Sequence, residues 1–483
     1  MSLPHAVLPG SFTKQIATVG PACKRPETLL EMIRQGVDVF RLNMAHGTIA
    51  SHEATLADIH RASDEAGRPV GVLVDLSGPK IRLGTLLDDP TPCRHGESFE
   101  FVPGDTAQRP DQLVTNYAPL VEELSVGDRV MLADGTVSMV VLDKSGGSVR
   151  CRVEDEGSIR SRQGINLPGV QLSVPSITDA DEEHAIWAAQ SGVDFVGLSF
   201  VRGTQELREL KNLLRGHGSS AMVIAKIEKK EALERLEDIV RAADAVMVAR
   251  GDLGVEIDVA EIAVVQKQII ETCQQLGRPV IVATQMLDSM HHSQRPTRAE
   301  ATDVANAILD GADACMLSGE TAIGDYPLDA VKMMNRIMVA TERMSHRHLP
   351  AAPQLATSHG VHPITSAVVY GAAQIADQLS SNLIVIATRS GATALVKAKQ
   401  RDFIPTVGVS SSPEALRRMC LFWGTYPLAG APLDDPPALR RFVSEWGLRN
   451  GLLTQGDTVV SITGTGIVHR AHNSVVVYEV EAR

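Results

Sequence analysis

Two neighbouring stretches decide the fold: AMVIAKIE at residues 221–228 and AVMVARGDLGVE at residues 245–256. Each starts as a short apolar run rich in β-branched residues and then breaks off into charge, as a buried parallel strand does where it reaches solvent. Lys226, Glu228, Arg250 and Asp252 therefore lie at two adjacent strand ends. Such a group favours an anionic substrate and a divalent cation held by oxygen ligands. Taken alone, it is also compatible with a solvated ion-pair cluster.

The same strand pattern occurs eight times, separated by segments with helical apolar spacing. Capping boxes are predicted at Thr297 with Glu300, and in a similar form at Thr178 with Asp181. Eight alternating units predict a closed (β/α)8 TIM barrel. The runs are QIATVG (15–20), VDVFRLNM (37–44), PVGVLVDL (69–76), VDFVGLSF (193–200), AMVIAKIE (221–228), AVMVARGD (245–252), PVIVAT (279–284) and ACMLSG (314–319).

Polar residues gather at the carboxyl ends of these predicted strands. Barrel enzymes carry their active sites at that end, so the sequence predicts one catalytic rim rather than scattered ion pairs. The rim residues are Arg41, Asn43, Asp75, Ser199, Arg202, Lys226, Glu228, Arg250, Asp252, Thr284, Ser318 and Glu320.

The chain divides into three predicted domains. The barrel takes residues 1–82 and 172–349, and a small β-domain with short alternating runs is inserted at 83–171, with hairpin turns expected at 134–135 and 146–147. A domain at that end of the barrel suits a lid that closes over a substrate and excludes water, although a passive insertion is the alternative. After a polar, proline-containing linker, residues 350–483 form a separate α/β domain.

A loop in this last domain resembles a phosphate cradle. A strand ends in Thr388, Arg389, Ser390 and Gly391, and a helix starts at 392 with Thr393 in its first turn. Backbone N–H groups at a helix start, hydroxyls and an arginine all favour an anion. A phosphorylated regulator is predicted here, with a plain capped turn as the alternative.

Composition excludes several classes of protein. The net charge of −12 argues against sequence-independent binding of nucleic acid, which needs a basic face. The six scattered cysteines contain no CxxC pair, so they indicate neither a zinc ribbon nor a disulfide scaffold. No secretory leader and no run of 18 apolar residues is found, so a protein of the cytoplasm that does not cross a membrane is expected.

Several blocks in order resemble the pyruvate kinase family over nearly the full length. They are TKQIATVGPA (13–22), FRLNMAHG (40–47), VDLSGPKIR (74–82), AKIE (225–228), MVARGDLGVE (247–256), ATQMLDSM (283–290) and the long block at 295–327. The resemblance implies a barrel with an inserted lid and a regulatory α/β domain, assembled as a homotetramer. It also implies transfer of the phosphoryl group of phosphoenolpyruvate to ADP, which gives ATP and pyruvate with Mg²⁺ or Mn²⁺ as cofactor.

The resemblance implies roles for individual residues. Lys226 matches the group that neutralises the moving phosphoryl unit, Glu228 and Asp252 match the metal ligands, and Arg41 and Arg82 match phosphate contacts. The backbone at Gly251 and Asp252 matches the segment that receives the substrate carboxylate. The remaining matches are Thr284 with Ser318 and Glu320 for proton delivery, and Asn43 and His46 beside the nucleotide phosphates.

The sequence departs from the family at a potassium site. Asn43 and Asp75 are kept, but Ala45 stands where a serine ligand would be, Leu76 at the threonine and Lys80 at a glutamate. We expect the Lys80 ammonium to substitute for the monovalent cation, so potassium is not required. The alternative is that Lys80 pairs with a carboxylate of the lid.

Two other functions are compatible with parts of the sequence. Another barrel enzyme acting on phosphoenolpyruvate or pyruvate, such as a mutase or lyase, would explain the carboxylates but not the lid or the last domain. A catalytically silent sensor of a sugar phosphate would explain the last domain but not the joint presence of Lys226, Glu228, Asp252 and Thr284. The regulator itself stays open between a sugar phosphate, AMP and none.

Overall fold

The first three strands of the chain are short and buried, and two helices cover them. The computed structural model describes residues 10–133, 135–170, 172–345, 361–464 and 473–481. Helix α2 begins at a capping box between Thr48 and Ser51 and ends at Gly67, whose left-handed backbone (φ 62°) suits glycine. These elements are β1 (Lys14–Thr18), α1 (Pro26–Arg34), β2 (Val39–Asn43), α2 (Ile49–Ala66) and β3 (Gly71–Asp75).

A β-domain interrupts the chain after β3. Its main sheet has the order β11-β7-β8-β9-β5-β6, with a separate β10-β4 pair. The turn predicted at Gly146 and Gly147 joins β8 to β9 with positive φ at both glycines, whereas the other predicted turn includes residue 134, which lies outside the described residues. The elements are β4 (Thr91–Cys93), β5 (Ser98–Phe101), β6 (Gln112–Leu113), α3 (Leu120–Glu123), β7 (Arg129–Leu132), β8 (Val137–Ser145), β9 (Ser148–Asp155), β10 (Gly157–Ile159) and β11 (Ile165–Asn166).

Five further strands close an eight-stranded parallel barrel in the order β1-β16-β15-β14-β13-β12-β3-β2. All eight predicted barrel strands and both capping boxes are confirmed. The elements are α4 (Asp179–Gln190), β12 (Phe195–Leu198), α5 (Thr204–Gly216), β13 (Met222–Ile227), α6 (Lys230–Glu234), α7 (Leu236–Ala242), β14 (Ala245–Ala249), α8 (Arg250–Glu256), α9 (Ile262–Gln275), β15 (Val280–Ala283), α10 (Arg298–Asp310), β16 (Ala314–Leu317), α11 (Gly319–Ala322) and α12 (Pro327–Ser345).

The last domain is a five-stranded sheet in the order β19-β18-β17-β20-β21, parallel except for β21. The linker predicted before it lies mostly outside the described residues. Sequence reading missed β19 and the helix that follows it. The elements are α13 (Pro363–Gln378), β17 (Leu383–Ala387), α14 (Ala392–Ala398), β18 (Thr406–Val409), α15 (Pro413–Met419), β19 (Thr425–Leu428), α16 (Pro436–Arg449), β20 (Thr458–Gly464) and β21 (Asn473–Glu479).

Four aspartates form a repeating pattern at the floor of the barrel, opposite the catalytic rim, and three of them (Asp38, Asp194 and Asp313) are buried. Each aspartate stands directly before the second, fourth, sixth or eighth strand of the barrel, which are β2, β12, β14 and β16. Its carboxylate accepts the backbone N–H of a residue near the start of the barrel strand that comes before it in the chain. The bonds are Asp38 to Gln15 N (2.9 Å), Asp194 to Val72 N (2.9 Å), Asp244 to Val223 N (2.9 Å) and Asp313 to Val280 N (2.8 Å). These hydrogen bonds join the starts of neighbouring strands and so help to set the register between them.

The C-terminal domain docks on this floor. Arg417 donates to Asp194 (2.8 Å) and Lys399 to Asp313 (2.6 Å), while Lys14 of β1 donates to the carbonyl of Thr425 (2.7 Å). Interior residues of the barrel such as Ile16 belong to the same apolar cluster as residues of the last domain. The last domain therefore packs against the floor of the barrel, on the side opposite the catalytic rim.

Candidate active site

Lys226 lies at the centre of the catalytic rim. It is near the end of β13, its side chain is 11% exposed, and its ammonium donates to Ser199 Oγ at 2.6 Å. The same nitrogen lies 2.9 Å from Glu228 Oε1 and 3.1 Å from Asp75 Oδ1. Burial alone would lower the pKa of Lys226, but the charges of Asp75 and Glu228 outweigh burial and raise it above its ordinary value. The ammonium is therefore permanently charged and held in one position.

Arg41 extends this charged group from the end of β2. Its guanidinium donates to Asp75 Oδ2 at 2.7 Å and to Thr18 Oγ1 at 3.1 Å. Burial would raise the pKa of Asp75, yet the charges of Lys226 and Arg41 hold it below its usual value. One fully buried carboxylate thus orients two cations that face the mouth of the barrel.

Glu228 and Asp252 form the candidate metal centre. Glu228 is 1% exposed and its Oε2 accepts the backbone N–H of Phe200 at 2.7 Å. Burial raises the pKa of Glu228 and the nearby charge of Asp252 raises it further, although Lys226 opposes them. Two carboxylates that repel one another at a strand end fit a divalent cation, which would relieve that repulsion.

The donor set also indicates which metal fits. Within the described residues no group of three or more His, Cys, Asp or Glu side chains is arranged to hold a metal ion. A cation at Glu228 and Asp252 would therefore complete its shell with water and substrate oxygens. Mg²⁺ is usually coordinated in this way, by one or two protein carboxylates together with water and substrate oxygens.

Thr284 follows β15 in a conformation that β-branched residues rarely adopt. Its φ is +68°, and its Oγ1 accepts the backbone N–H of Gly251 at 2.8 Å while donating to the carbonyl of Ala283 at 2.6 Å. Arg250 donates to the Thr284 carbonyl (2.9 Å) and to Asp303 (2.7 Å). Strain of this kind is typical of functional sites, and here the contacts from Arg250 and Gly251 at the start of helix α8 maintain it.

Ser318 and Glu320 lie beyond β16, the neighbour of β15 in the barrel. The Glu320 carboxylate accepts the backbone N–H of Ser318 (2.7 Å) and of Leu287 (3.1 Å). The Ser318 hydroxyl is enclosed and has no hydrogen-bond partner among the residues that the structure describes. Glu320 thus holds the backbone of both loops through these two hydrogen bonds.

Three predicted residues make their hydrogen bonds outside this group, although Asn43 lies beside Asp75 on the neighbouring strand β2. Arg82 donates to the carbonyl of Arg162 (3.2 Å) in the inserted domain. His46 is exposed and its carbonyl is bonded by the His52 ring (2.8 Å), while the Asn43 side chain accepts the backbone N–H of Ala45 (3.2 Å). In this conformation none of the three makes a hydrogen bond to Lys226 or Asp75.

Lys80 lies where the chain leaves the barrel for the inserted domain. Its Nζ is 3.8 Å from Asp252 Oδ1, and both side chains are about one third exposed, at 37% and 30%. Leu76 is buried at 1% exposure. The partner of Lys80 is therefore a carboxylate of the barrel, so the alternative of a pair with a lid carboxylate is wrong within the described residues.

The loop predicted to bind a regulator uses its hydroxyls on its own backbone. Thr388 Oγ1 accepts the N–H of Gly391 (3.1 Å) and Ser390 Oγ accepts that of residue 392 (3.4 Å). Gly391 has a φ of 86°, and Arg389 is exposed. Thr393 is in the first turn of α14 and is partly buried.

Sequence reading did not give Ser199 or Arg202 a role. Ser199 accepts a hydrogen bond from Lys226 and donates one to the Leu76 carbonyl at 2.7 Å, so it helps to fix the position of the ammonium. Arg202 donates to the carbonyls of Leu172 (2.9 Å) and Val174 (3.0 Å), so it holds the segment that returns from the inserted domain. Their position at the end of β12 was the only sequence signal, because both contacts depend on tertiary folding.

Together the fold and the rim define a barrel enzyme that binds an anionic substrate with a divalent cation at the carboxyl ends of its strands. Comparison with known proteins narrows this class. A family model for the pyruvate kinase barrel domain matches residues 11–331, and one for the pyruvate kinase α/β domain matches residues 366–478. The chain belongs to the pyruvate kinase family and is a phosphotransferase.

Individual relatives agree with the family models. The chain is 42% identical to a pyruvate kinase of Mycobacterium intracellulare, over 93% of this chain and 94% of that protein. It is 40% identical to one of Mycobacterium tuberculosis over the same shares. A pyruvate kinase of Geobacillus stearothermophilus is 38% identical over 94% of this chain and 78% of its own length. Among the described residues, none of the helices is both long and apolar enough to span a bilayer.

Proposed function

We propose that this chain transfers the phosphoryl group of phosphoenolpyruvate to ADP, giving ATP and pyruvate, with Mg²⁺ as the divalent cofactor, which Mn²⁺ can replace. The observation that carries the proposal is the placement of Lys226 between Asp75 and Glu228, with Asp252 on the next strand. Phosphoryl transfer needs charge compensation on the oxygens of the moving group more than it needs covalent chemistry. A buried, fixed ammonium beside a metal centre supplies that compensation.

Glu228 and Asp252 would hold the Mg²⁺. When bound, the cation neutralises charge on the substrate oxygens and orients them. Lys226 faces the phosphoryl group during transfer, and Arg41 binds its oxygens through a planar fork that lysine could not reproduce. Because Asp75 already orients both cations, little reorganisation is needed when the substrate arrives.

The substrate carboxylate is received by the backbone at Gly251 and Asp252. A Cβ added to Gly251 would meet no protein atom closer than 3.5 Å, so nothing in the protein itself requires glycine there. A ligand that approaches this backbone closely would explain the residue. Thr284 lies against the same backbone, and it delivers the proton to the enolate carbon through water, with Ser318 and Glu320 as the relay.

ADP binds on the side of Asn43 and His46. Arg82 is held by the inserted domain, so it reaches the phosphates only when that domain moves as a lid towards the barrel. We place the lid at residues 83–171, the barrel at 1–82 and 172–349, and the regulatory domain at 350–483. Both segments that connect the lid to the barrel lie at the catalytic rim, which supports closure over the substrate.

Turnover does not require potassium. The Lys80 ammonium lies 3.8 Å from Asp252, and Leu76 and Ala45 supply no side-chain oxygen in the region of Asn43 and Asp75. A fixed positive charge at this place does what a bound monovalent cation would do. A second monovalent charge beside it would be repelled.

A phosphorylated regulator, a sugar phosphate or AMP, binds at the loop of Thr388, Arg389, Ser390, Gly391 and Thr393. Exposed Arg389 and the left-handed backbone at Gly391 support an anion there. The enzyme is a homotetramer of the cytoplasm, where its six buried free thiols stay reduced. To test the regulator, saturation curves for phosphoenolpyruvate are measured with and without a sugar phosphate or AMP. The variant Arg389→Gln should abolish any change that these compounds cause in the curve.

Pyruvate formation tests the main proposal. Purified protein is mixed with phosphoenolpyruvate and Mg²⁺, and pyruvate is followed with lactate dehydrogenase and NADH, with and without ADP. We expect turnover only when ADP is present, with one ATP formed for each pyruvate. Pyruvate formed without ADP would show that water accepts the phosphoryl group, which is hydrolysis and contradicts the proposal. No pyruvate in either mixture would also contradict it and would leave a mutase, a lyase or a sensor.

A further inference from the structure

A buried ion pair joins the two segments that carry the proposed metal ligands. Lys229 Nζ lies 2.5 Å from Glu256 Oε1, and the two side chains are 12% and 1% exposed. Lys229 follows Glu228 directly in the chain, and Glu256 is four residues after Asp252 on helix α8, so it lies on the same face about one turn away. The ion pair therefore spans the same two segments as the cation would. None of the roles proposed above uses it.

The side chain of Glu256 depends on Lys229 for its charge compensation. Its Oε1 accepts the hydrogen bond from Lys229, while its Oε2 is enclosed and has no hydrogen-bond partner among the described residues. A carboxylate buried this deeply needs a paired cation, and removal of that cation is strongly unfavourable. The ion pair is thus a firm link between α8 and the segment that follows β13.

Lys229 also lies against the residue that supports Glu228. Its ammonium is 6.0 Å from the centroid of the Phe200 ring, at the outer limit of a cation–π contact. The backbone N–H of Phe200 donates to Glu228 Oε2 at 2.7 Å, and the φ of Phe200 is 54°, which a bulky residue rarely adopts. One ammonium is therefore in contact with the support of each ligand, Phe200 for Glu228 and the end of α8 for Asp252.

The two ligands need support because they repel one another. The charge of Asp252 acts against the ionised form of Glu228, as described above. An ion pair one residue from the first ligand and one turn from the second opposes any movement that would separate them. The separation matters for the choice of metal, because Mg²⁺ needs near-ideal geometry with oxygens at about 2.0–2.1 Å, whereas Ca²⁺ accepts irregular shells at about 2.3–2.6 Å.

We propose that Lys229 and Glu256 are positioning residues that hold the two metal ligands at a separation suited to Mg²⁺ or Mn²⁺ and unsuited to a larger cation such as Ca²⁺. The inference rests on the proposed function, since it takes Glu228 and Asp252 as the ligands. Neither positioning residue touches the cation. A role of Lys229 through its charge alone would have the opposite sign, because an ammonium near the centre repels every divalent cation.

Binding of Mn²⁺ to the full chain without substrates, followed by electron paramagnetic resonance with Ca²⁺ as competitor, tests the proposal. For Lys229→Met we expect the Kd of Mn²⁺ to rise at least about tenfold and that of Ca²⁺ to change less than about threefold, because the geometry that Mg²⁺ and Mn²⁺ require is lost. Lys230→Met removes the neighbouring exposed lysine and is the matched control, which should leave both constants unchanged. An unchanged or lower Kd of Mn²⁺ in Lys229→Met, or an equal rise for both cations, would overturn the proposal.

A double variant separates position from charge and from a general loss of folding. Lys229→Met combined with Glu256→Leu replaces the ion pair by apolar side chains and leaves the net charge unchanged, an exchange that buried sites often tolerate. We expect the double variant to bind Mn²⁺ within about threefold of the parent, since packing again links α8 to the segment after β13. A double variant as weak as Lys229→Met would contradict the proposal.

The parent protein distinguishes this inference from the proposed function. If the parent binds no Mn²⁺, the metal centre at Glu228 and Asp252 is wrong, and the positioning role fails with it. If the parent binds Mn²⁺ and Lys229→Met binds it equally well, only the role of the ion pair is wrong.

Discussion

Asp75 and Lys226 hold one another charged in the wall of the barrel. The ammonium lies 3.1 Å from Asp75 Oδ1, although β12 separates the two strands that carry them. The ion pair raises the pKa of Lys226 and lowers that of Asp75, in each case against the effect of burial. The site is therefore organised before any ligand binds, which is the condition under which electrostatic catalysis is most effective.

Replacing Lys226 should abolish most of the activity. For Lys226→Met we expect pyruvate formation to fall by about a thousandfold, because the phosphoryl group loses its fixed positive charge. Lys230→Met, on an exposed lysine of the following helix, is the matched control and should retain full activity. The measurement is kcat with saturating phosphoenolpyruvate and ADP, on protein whose circular dichroism is unchanged. Activity within tenfold of the parent would remove Lys226 from the mechanism.

A single substitution should create a requirement for potassium. Lys80→Glu removes the fixed cation and places a third carboxylate near Glu228 and Asp252, so a monovalent cation becomes useful. We expect potassium to activate this variant roughly tenfold over a tetramethylammonium background, an effect of about 1.4 kcal/mol. The parent and the exposed-site variant Lys24→Glu should respond to neither salt. Strong activation of the parent by potassium would show that Lys80 does not substitute for the cation.

Two substitutions at Thr284 separate backbone strain from the role of the hydroxyl. Thr284→Ser keeps the acceptor for the Gly251 N–H and removes the branched methyl group that disfavours a φ of +68°. We expect it to be at least as stable as the parent. Thr284→Val keeps the branch but leaves that N–H without a partner, which should cost about 1–3 kcal/mol and also lower kcat. Urea midpoints and kcat for both variants are the readout, and equal loss of stability in the two would contradict this account.

Asp194 should make the stability of the protein depend on pH. Burial raises the pKa of its carboxyl to about 6, despite the opposing charge of Arg417. A folded-state pKa above the unfolded value, about 3.9, contributes stability that is present below pH 4 and is lost as the pH rises through about 6. The urea midpoint of the parent, relative to that of Asp194→Asn, should therefore fall between pH 4 and pH 6.5. The exposed-site variant Asp238→Asn should show no such trend, and a rise in the relative midpoint would contradict the assigned pKa.

The sequence was sufficient to predict the barrel and its rim. Short β-branched runs that end in charge favour strands buried on both faces, and eight of them alternating with helical segments predict the architecture. The positions of Lys226, Glu228 and Asp252 at strand ends followed from that periodicity alone. The pairing of β12 with both β3 and β13 then brought Asp75 within reach of Lys226.

Other features depend on contacts between distant parts of the chain. The four aspartates at the floor accept hydrogen bonds from residues 21 to 122 positions earlier in the chain. The only local sign of these bonds is an aspartate before every second barrel strand, so the sequence did not predict them. The left-handed conformation of Thr284 contradicts the preference of its residue type, and its contacts with Arg250 and Gly251, far away in the sequence, account for it. The site of Arg82 depends on where the inserted domain lies relative to the barrel, which strand patterns do not determine.

A crystal structure with Mg²⁺ and oxalate, a stable mimic of the enolate of pyruvate, tests the central claim most directly. We expect the cation to be bound by carboxylate oxygens of Glu228 and Asp252, with Lys226 Nζ about 3 Å from an oxygen at the position of the transferring group. Oxalate bound elsewhere, or Lys226 turned away from an ion at those carboxylates, would contradict the account.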